Sequence, residues 1–398
     1  MSHILIIGGG PSGLRAAEVA SNAGMKVTLC DQRRSVGRKF LVAGKGGLNL
    51  THSEEIETFA TRYQGPDQPH DFWPRALADF DNKEIRAWAA RLNVGTFVQK
   101  SGRIYPKALK AAPLLRRWVE KLRKQGVDFR MSHRLVSLTS GKASFEGPEG
   151  KIEIQANAII LALGGGSWPQ TGSDGAWVET LEKAGVKVSP LAPANCGWEV
   201  AWSSDLAEQL EAKPLKNVVA SAGDKIAPGE IMITRYGMEG GPLYTLGPVL
   251  RRMDKPLLTL DFKPTFAIEK LVGKMESAKK NFLAESQYRW KLSESMRLIL
   301  DHFHGPFSSA EHLAQHAKAC RIPLNKTRPI EEAISSSGGV PWQTINDQLM
   351  IKSLPGIFVA GEMIDWEAPT GGYLLQGCFA SGTRAAEAAL AFKISKPG

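Results

Sequence analysis

The chain has 398 residues, 43% of them hydrophobic and 23% charged, the proportions of a globular protein long enough for two or three domains, which excludes a disordered, fibrous or disulfide-stapled molecule. Fifty Lys and Arg against forty Asp and Glu give a formal net charge of +10, which suits anionic ligands, nucleic acid or an anionic membrane surface without choosing among them. Four cysteines, Cys30, Cys196, Cys320 and Cys378, show no C-x-x-C spacing and no pairing with histidine, so neither a metal site nor a redox dithiol is expected.

Residues 3–31, HILIIGGGPSGLRAAEVASNAGMKVTLCD, read as strand, glycine turn, helix and second strand. Gly8, Gly10 and Gly13 form G-x-G-x-x-G directly after the apolar run, with Pro11 and Ser12 opening a helix whose Leu14, Ala17, Val19 and Ala20 make an inward stripe. Gly8 permits the tight turn, Gly10 lets backbone approach a pyrophosphate, and Gly13 lets helix and strand pack closely, while free N–H groups supply the positive end. Asp31 ends the second strand 18 residues past Gly13, where a carboxylate accepts both hydroxyls of a ribose, with Gln32 beside it. The run enters at the N-terminus without a basic segment or cleavage site, and no apolar stretch approaches the roughly 18 residues of a membrane span, so the expected compartment is the cytoplasm.

A second glycine-rich stretch follows instead of a further regular βα unit. Gly44, Gly46 and Gly47 would let backbone pass close to a phosphate or flat ring, and Arg38, Lys39 and Lys45 would offset phosphate charge. An exposed basic loop is the competing reading. Residues 74–130 look mostly helical; within them Leu115, Trp118, Val119 and Leu122 share one face, with Arg116, Arg117, Lys121, Arg123 and Lys124 elsewhere, a solvated basic helix. Short strands follow, and Val136 lies in one that would run beside an adenine. A buried strand then leads into Gly164 and Gly165. Residues 190–330 change in texture, β-rich to about 265 and helical over about 266–320, and α/β texture returns at 331–398 with a strand, a loop and a helix. The expected organisation is α/β: a Rossmann domain formed by 1–189 and 331–398, interrupted by an inserted domain that caps it. Gly237, Gly240 and Gly241 suggest that 233–242, with the loop 45–52, bounds a substrate pocket.

The N-terminal G-x-G-x-x-G with Asp31, the strand ending in Gly164-Gly165, and PGIFVAGE at 355–362 resemble the segments that the two-dinucleotide-binding-domain flavoproteins place around FAD, in the glutathione-reductase-like fold. More narrowly, GRKFLVAGKGGLNLTH, GGGSWPQTGSDG, ITRYGMEGGP, SSGGV and VAGEMIDWEAPTGGYLLQGCFASG are similar to blocks of the BaiN-like family of predicted bacterial NAD(P)/FAD-dependent oxidoreductases. The resemblance implies non-covalent FAD, with Gly361 and Glu362 at the ribityl or pyrophosphate region, and Thr370, Gly371, Gly372 and Tyr373 starting a helix aimed at the isoalloxazine. It also implies a reductase that passes hydride from NAD(P)H through flavin N5 to a small organic substrate such as an enone. The chain departs from the family's GGGRCNxTN-type loop, with Lys45, Gly47, Leu48 and His52 where Gly, Arg, Cys and Asn are common. Lys45, His52 and Tyr373 are the catalytic candidates, with packing of loop and helix as the competing reading for each and for Gln376. No second G-x-G-x-x-G follows a strand, so the nicotinamide is expected as a transient reductant. Two alternatives stand beside the reductase: an RNA-modifying flavoprotein, against which the insertion shows no aromatic-and-basic stripe, so that nucleic acid is not the expected partner, and a non-catalytic flavin sensor.

Overall fold

Three apolar runs, His3–Ile7, Ala158–Leu161 and Ile357–Val359, carry no polar residue beyond His3 and are almost wholly buried, as strands covered on both faces must be. In a computed structural model that describes residues 2–43 and 46–392, they join Lys26–Asp31 and Asp128–Met131 in one parallel sheet. Its order is Ile357–Val359, Ala158–Leu161, His3–Ile7, Lys26–Asp31, Asp128–Met131. The helices Pro11–Asn22 and Tyr373–Ala391 lie together beneath it. Their approach is close because Gly382 faces the backbone of Ser12, where an added Cβ would stand 2.5 Å from the carbonyl oxygen.

This sheet and its helices belong to one compact unit, residues Met1–Ala192 with Ser335–Gly398; Pro193–Ile334 form a second. The first unit also holds two small antiparallel sheets, one of Thr51–His52, Arg103–Pro106 and Thr96–Val98, the other of Arg134–Thr139, Lys142–Gly147 and Gly150–Gln155. Residues 74–130 are mostly helical, in Phe72–Asp79, Asn82–Arg91 and Ala111–Lys124, and two short strands interrupt them: Thr96–Val98 pairs with Arg103–Pro106, which pairs in turn with Thr51–His52 outside the segment.

The second unit has a separate core built on a six-stranded antiparallel sheet, ordered Trp198–Glu199, Gly237–Glu239, Lys225–Thr234, Pro214–Ala222, Leu257–Asp261, Cys320–Pro323. Its helical half, from Ile268–Gly273 to Ala310–Lys318, lies between the last two of these strands in sequence, so β and α parts share one core that includes Ile231, Leu260, Leu300 and Leu313. Gly237 and Gly240 take part in packing within this unit: a Cβ on Gly237 would stand 2.0 Å from the Trp198 carbonyl oxygen.

Candidate functional site

The strand His3–Ile7 ends in a turn whose geometry the glycines set. Gly8 has φ +107, and an added Cβ would lie 2.2 Å from the carbonyl oxygen of Ala162; one on Gly13 would lie 1.9 Å from that of Gly8. Gly9, which no sequence motif singles out, is equally constrained. Its N–H donates to Asp31 Oδ2 at 2.7 Å, and a Cβ there would stand 2.4 Å from Val36 Cγ1. Gly10 differs, since a Cβ on it would meet nothing within 4 Å and would project into an open cleft. The helix Pro11–Asn22 that follows has no side-chain cap and no acidic residue in its first turn, which leaves its N–H groups and the positive end of its dipole facing the cleft.

Asp31 also lines the cleft. Burial raises its carboxyl pKa, and the N–H groups of Arg33 and Gly9, which donate to its two oxygens at 2.7 Å, pull it back. Next to it, Gln32 Nε2 donates to the Gly172 carbonyl oxygen at 2.8 Å and to Asp174 Oδ2 at 3.1 Å, and Arg33 donates to the Pro169 carbonyl oxygen. These bonds draw the segment around Gly172 and Asp174 against the end of the second strand. Ser173, in that segment, is buried and lines the cleft, and its Oγ has no hydrogen-bond partner. An unpaired buried hydroxyl costs about 1–3 kcal/mol unless something pairs with it. Ser173 falls in the block GGGSWPQTGSDG, but the sequence assigned it no role, because its position depends on Gln32, which bonds Gly172 across 140 residues.

The far wall holds Glu362, whose carboxylate accepts from Lys39 Nζ at 2.8 Å and from the Ser336 N–H at 3.0 Å; Lys39 also donates to Ser167 Oγ at 2.7 Å. Arg38 lines the cleft nearby. Burial lifts the thiol of Cys378, on the same wall, to about 11, so it stays protonated and unreactive at neutral pH.

Of the residues singled out from sequence, Gly8, Gly10, Pro11, Ser12, Asp31, Gln32, Arg38, Lys39, Gly164 and Glu362 all line this one cleft. Gly13, Gly165 and Gly361 stand just behind it and serve packing; a Cβ on Gly165 would lie 1.8 Å from Ser336 Oγ. Val136 does not line it. The strand Arg134–Thr139 has a register shift between Leu135 and Ser137, and His133, Arg134 and Leu135 face the cleft instead. Gly44 and Lys45 lie outside the described residues.

Gly46, Gly47, Thr370, Gly371, Gly372 and Tyr373 are not part of the cleft lining. Gly372 precedes the helix Tyr373–Ala391 with φ +98, and a Cβ there would fall 2.6 Å from Thr51. The rings of His52 and Tyr373 stack at 5.4 Å. Tyr373 donates to Glu54 Oε2 at 3.0 Å, and Arg62 binds the same carboxylate through two nitrogens. Burial pushes Glu54 up, but these bonds outweigh it and hold the group below its usual range. His52 Nδ1 accepts from the Glu54 N–H at 3.1 Å, so its proton sits on Nε2, which donates to the Ser101 carbonyl oxygen at 2.9 Å. Both nitrogens are thus committed to backbone, and His52 braces the loop. Gln376 accepts from Thr51 Oγ1 and donates to the Phe80 carbonyl oxygen, fully buried, in a packing role.

A cleft at the carboxyl ends of parallel strands, with an open helix N-terminus and a strand-end carboxylate, fits a dinucleotide. The HI0933-like protein Rossmann domain matches this chain over residues 2–388. The chain belongs to that family. It is a flavoprotein oxidoreductase, with the FAD-binding Rossmann fold and an inserted antiparallel-sheet domain. The 3-dehydro-bile acid delta(4,6)-reductase of Clostridium scindens is 28% identical over 98% of this chain and 99% of its own length. The ribosomal RNA dihydrouridine synthase of Escherichia coli is 22% identical over 98% of each chain. Among solved structures, 3-ketosteroid-delta4-(5alpha)-dehydrogenase from Rhodococcus jostii RHA1 shares the fold with a TM-score of 0.54 and 13% identity, covering 98% of this chain and 97% of its own. Among the described residues, no helix is long and apolar enough to cross a membrane, and no group of three or more His, Cys, Asp or Glu is placed to hold a metal ion.

Proposed function

We propose that the protein is an FAD-dependent reductase that takes hydride from a reduced nicotinamide and delivers it to a carbon–carbon double bond conjugated to a carbonyl. The observation that carries this reading is the cleft itself, with open space beside Gly10, where a Cβ would meet nothing within 4 Å, and the unpartnered Ser173 Oγ. The cleft occurs in a chain that aligns end to end with a reductase of such a double bond. When bound, FAD supplies two-electron transfer through flavin N5. The chain supplies binding and orientation. Asp31 would accept from the ribose hydroxyls, Ser173 Oγ would pair with the cofactor, and the N–H groups of Gly10 and Ser12, with the Arg38 guanidinium, would hold the pyrophosphate. Lys39, fixed by Glu362 and Ser167, keeps a positive charge at the far wall. The helix starting at Tyr373 sets its positive end toward the loop of Thr51, which favours negative charge developing there.

The reading is tested with purified holoprotein under anaerobic conditions. Stopped-flow mixing with NADH and with NADPH should bleach the flavin absorbance, and an enone panel should restore it. Denaturation should release all the flavin. Bleaching by neither nicotinamide would reject the reductase reading, and flavin retained by the precipitated chain would reject non-covalent binding.

A second reading is favoured by the likeness to ribosomal RNA dihydrouridine synthases together with the basic charge. A uracil ring also presents a double bond conjugated to a carbonyl, so the same cofactor chemistry serves a base held in RNA. Incubation of reduced enzyme with RNA and with a soluble enone, followed by nucleoside analysis, separates the two.

A further inference from the structure

The positive charge of the chain is concentrated in one place. Residues 100–134 hold eleven Lys and Arg against two acids, Glu120 and Asp128, and the remaining 363 residues carry 39 basic against 38 acidic side chains. Those 35 residues thus account for nine of the ten net charges. They form the strand Arg103–Pro106, a four-residue link, the helix Ala111–Lys124 and the strand Asp128–Met131, all in the first unit.

The charges point outward, and several have no acidic partner; Arg123 lies over the ring of Phe129. Lys100, Arg103, Lys107, Lys110, Arg116, Arg117, Arg123 and Lys124 are exposed. Among the described residues, Lys124 pairs with Glu120 and Arg117 reaches the carbonyls of Leu92 and Asn93, whereas Lys100, Arg103, Lys107, Lys110, Arg116 and Arg123 enter no ion pair. Helix stability accounts for Arg123 and Lys124, which sit in the last turn, but not for the cations at the other end. Lys107 precedes the helix and Lys110 caps its N-terminus, at the positive end of its dipole, where cations are unfavourable and the first turn holds no acid. Such a placement costs stability unless an anion covers it.

We propose that this surface docks the phosphate backbone of a nucleic acid. The helix is 14 residues long, about 21 Å, which spans several phosphates. An anionic membrane is the weaker match, because a helix that lies in a bilayer surface needs its apolar face free. Here Leu114, Leu115, Trp118 and Leu122 are buried in the core. The surface also abuts the machinery described above: Arg103 pairs in register with His52, on the loop against Gly372, and Arg134 lines the dinucleotide cleft. A strand bound along it would pass from the cleft to that loop.

This inference stands apart from the reductase reading, because binding is measured without turnover. FAD-loaded protein is titrated into a fluorescein-labelled 24-nucleotide RNA hairpin at salt from 50 to 200 mM, and affinity is read by anisotropy. Wild type should bind with a steep salt dependence. The combined variant Lys107→Glu, Lys110→Glu, Arg116→Glu, Arg123→Glu should lose at least 50-fold in affinity, and the log–log salt slope should fall by about 3 to 4. The corresponding Gln variant, which avoids new repulsion, should lose about 10-fold or more, and both should keep their flavin and melting temperature. A control with the same change in net charge, Lys225→Glu, Lys255→Glu, Lys279→Glu, Lys280→Glu, should bind like wild type. Equal loss in the control, unchanged binding in both test variants, or co-sedimentation with phosphatidylserine vesicles without RNA binding would overturn the proposal.

Discussion

Gly9 and Gly10 are neighbours in sequence and opposites in what they do. A Cβ on Gly9 collides with Val36 and approaches Asp31 Oδ2 at 2.9 Å, so Gly9→Ala should destabilise the fold by about 1–3 kcal/mol, as overpacking does, and lose FAD as well. A Cβ on Gly10 collides with nothing, so Gly10→Ala should keep the wild-type urea midpoint while FAD affinity, read by quenching of flavin fluorescence, falls at least tenfold. A Gly10→Ala protein that binds FAD normally would show that the cofactor does not pass close to that backbone. Ser173 gives a test of the opposite kind. Its Oγ is buried without a partner, so Ser173→Ala removes an uncompensated polar group and should leave stability unchanged or slightly raised. The same change should weaken FAD binding roughly three- to tenfold, the net worth of one hydrogen bond. A large loss of stability with unchanged FAD affinity would assign the hydroxyl to the fold instead.

At the level of elements, the helix Pro11–Asn22 is anchored from behind by a charge. Glu18 is 2% exposed, and its carboxylate accepts from Trp88 Nε1 at 2.9 Å and Trp118 Nε1 at 2.8 Å and pairs with Lys121. Three helices therefore meet on one carboxylate. Glu18→Ala strands two buried indole N–H groups and a lysine, and should cost about 3–5 kcal/mol in urea unfolding. A cost below 1 kcal/mol would mean that water replaces the carboxylate. In the second unit the helices Glu294–His304 and Ala310–Lys318 meet through histidines: His304 stacks on His316 at 4.2 Å, and His312 lies 4.9 Å from His316. Burial, then the neighbouring imidazoles, hold His304 and His316 below the usual 6.5. The folded state keeps them neutral, so the unfolded chain takes up protons first. Their contribution is present above about pH 6.5 and is lost as the pH falls below it. The melting temperature of the second unit should fall on acidification from pH 8 to 5.5, and His304→Gln with His316→Gln should flatten that dependence. An unchanged slope in the double variant would place the acid sensitivity elsewhere.

For the whole molecule, two separate hydrophobic cores predict two folding units. Residues 193–334 hold their own sheet and core, so this segment expressed alone should show a cooperative thermal transition by circular dichroism; a non-cooperative melt would show that it depends on the first unit. What the sequence determined by itself was local. The turn at Gly8, the helix at Pro11 and the carboxylate of Asp31 fall within 29 residues, where strand and helix periods and glycine spacing leave little choice of geometry. The interruption of the Rossmann unit was legible too, because α/β texture stops and returns. Only the tertiary structure decided which distant groups share the cleft. Ser173 reaches it through Gln32, and a register shift in one strand turns Leu135 rather than Val136 toward it. It also decided that His52, with both ring nitrogens bonded to backbone, is a brace. The reason is physical: hydrogen-bond partners and burial depend on what lies opposite in space, and a linear pattern fixes the face a residue takes on its own element but not the element that will meet it.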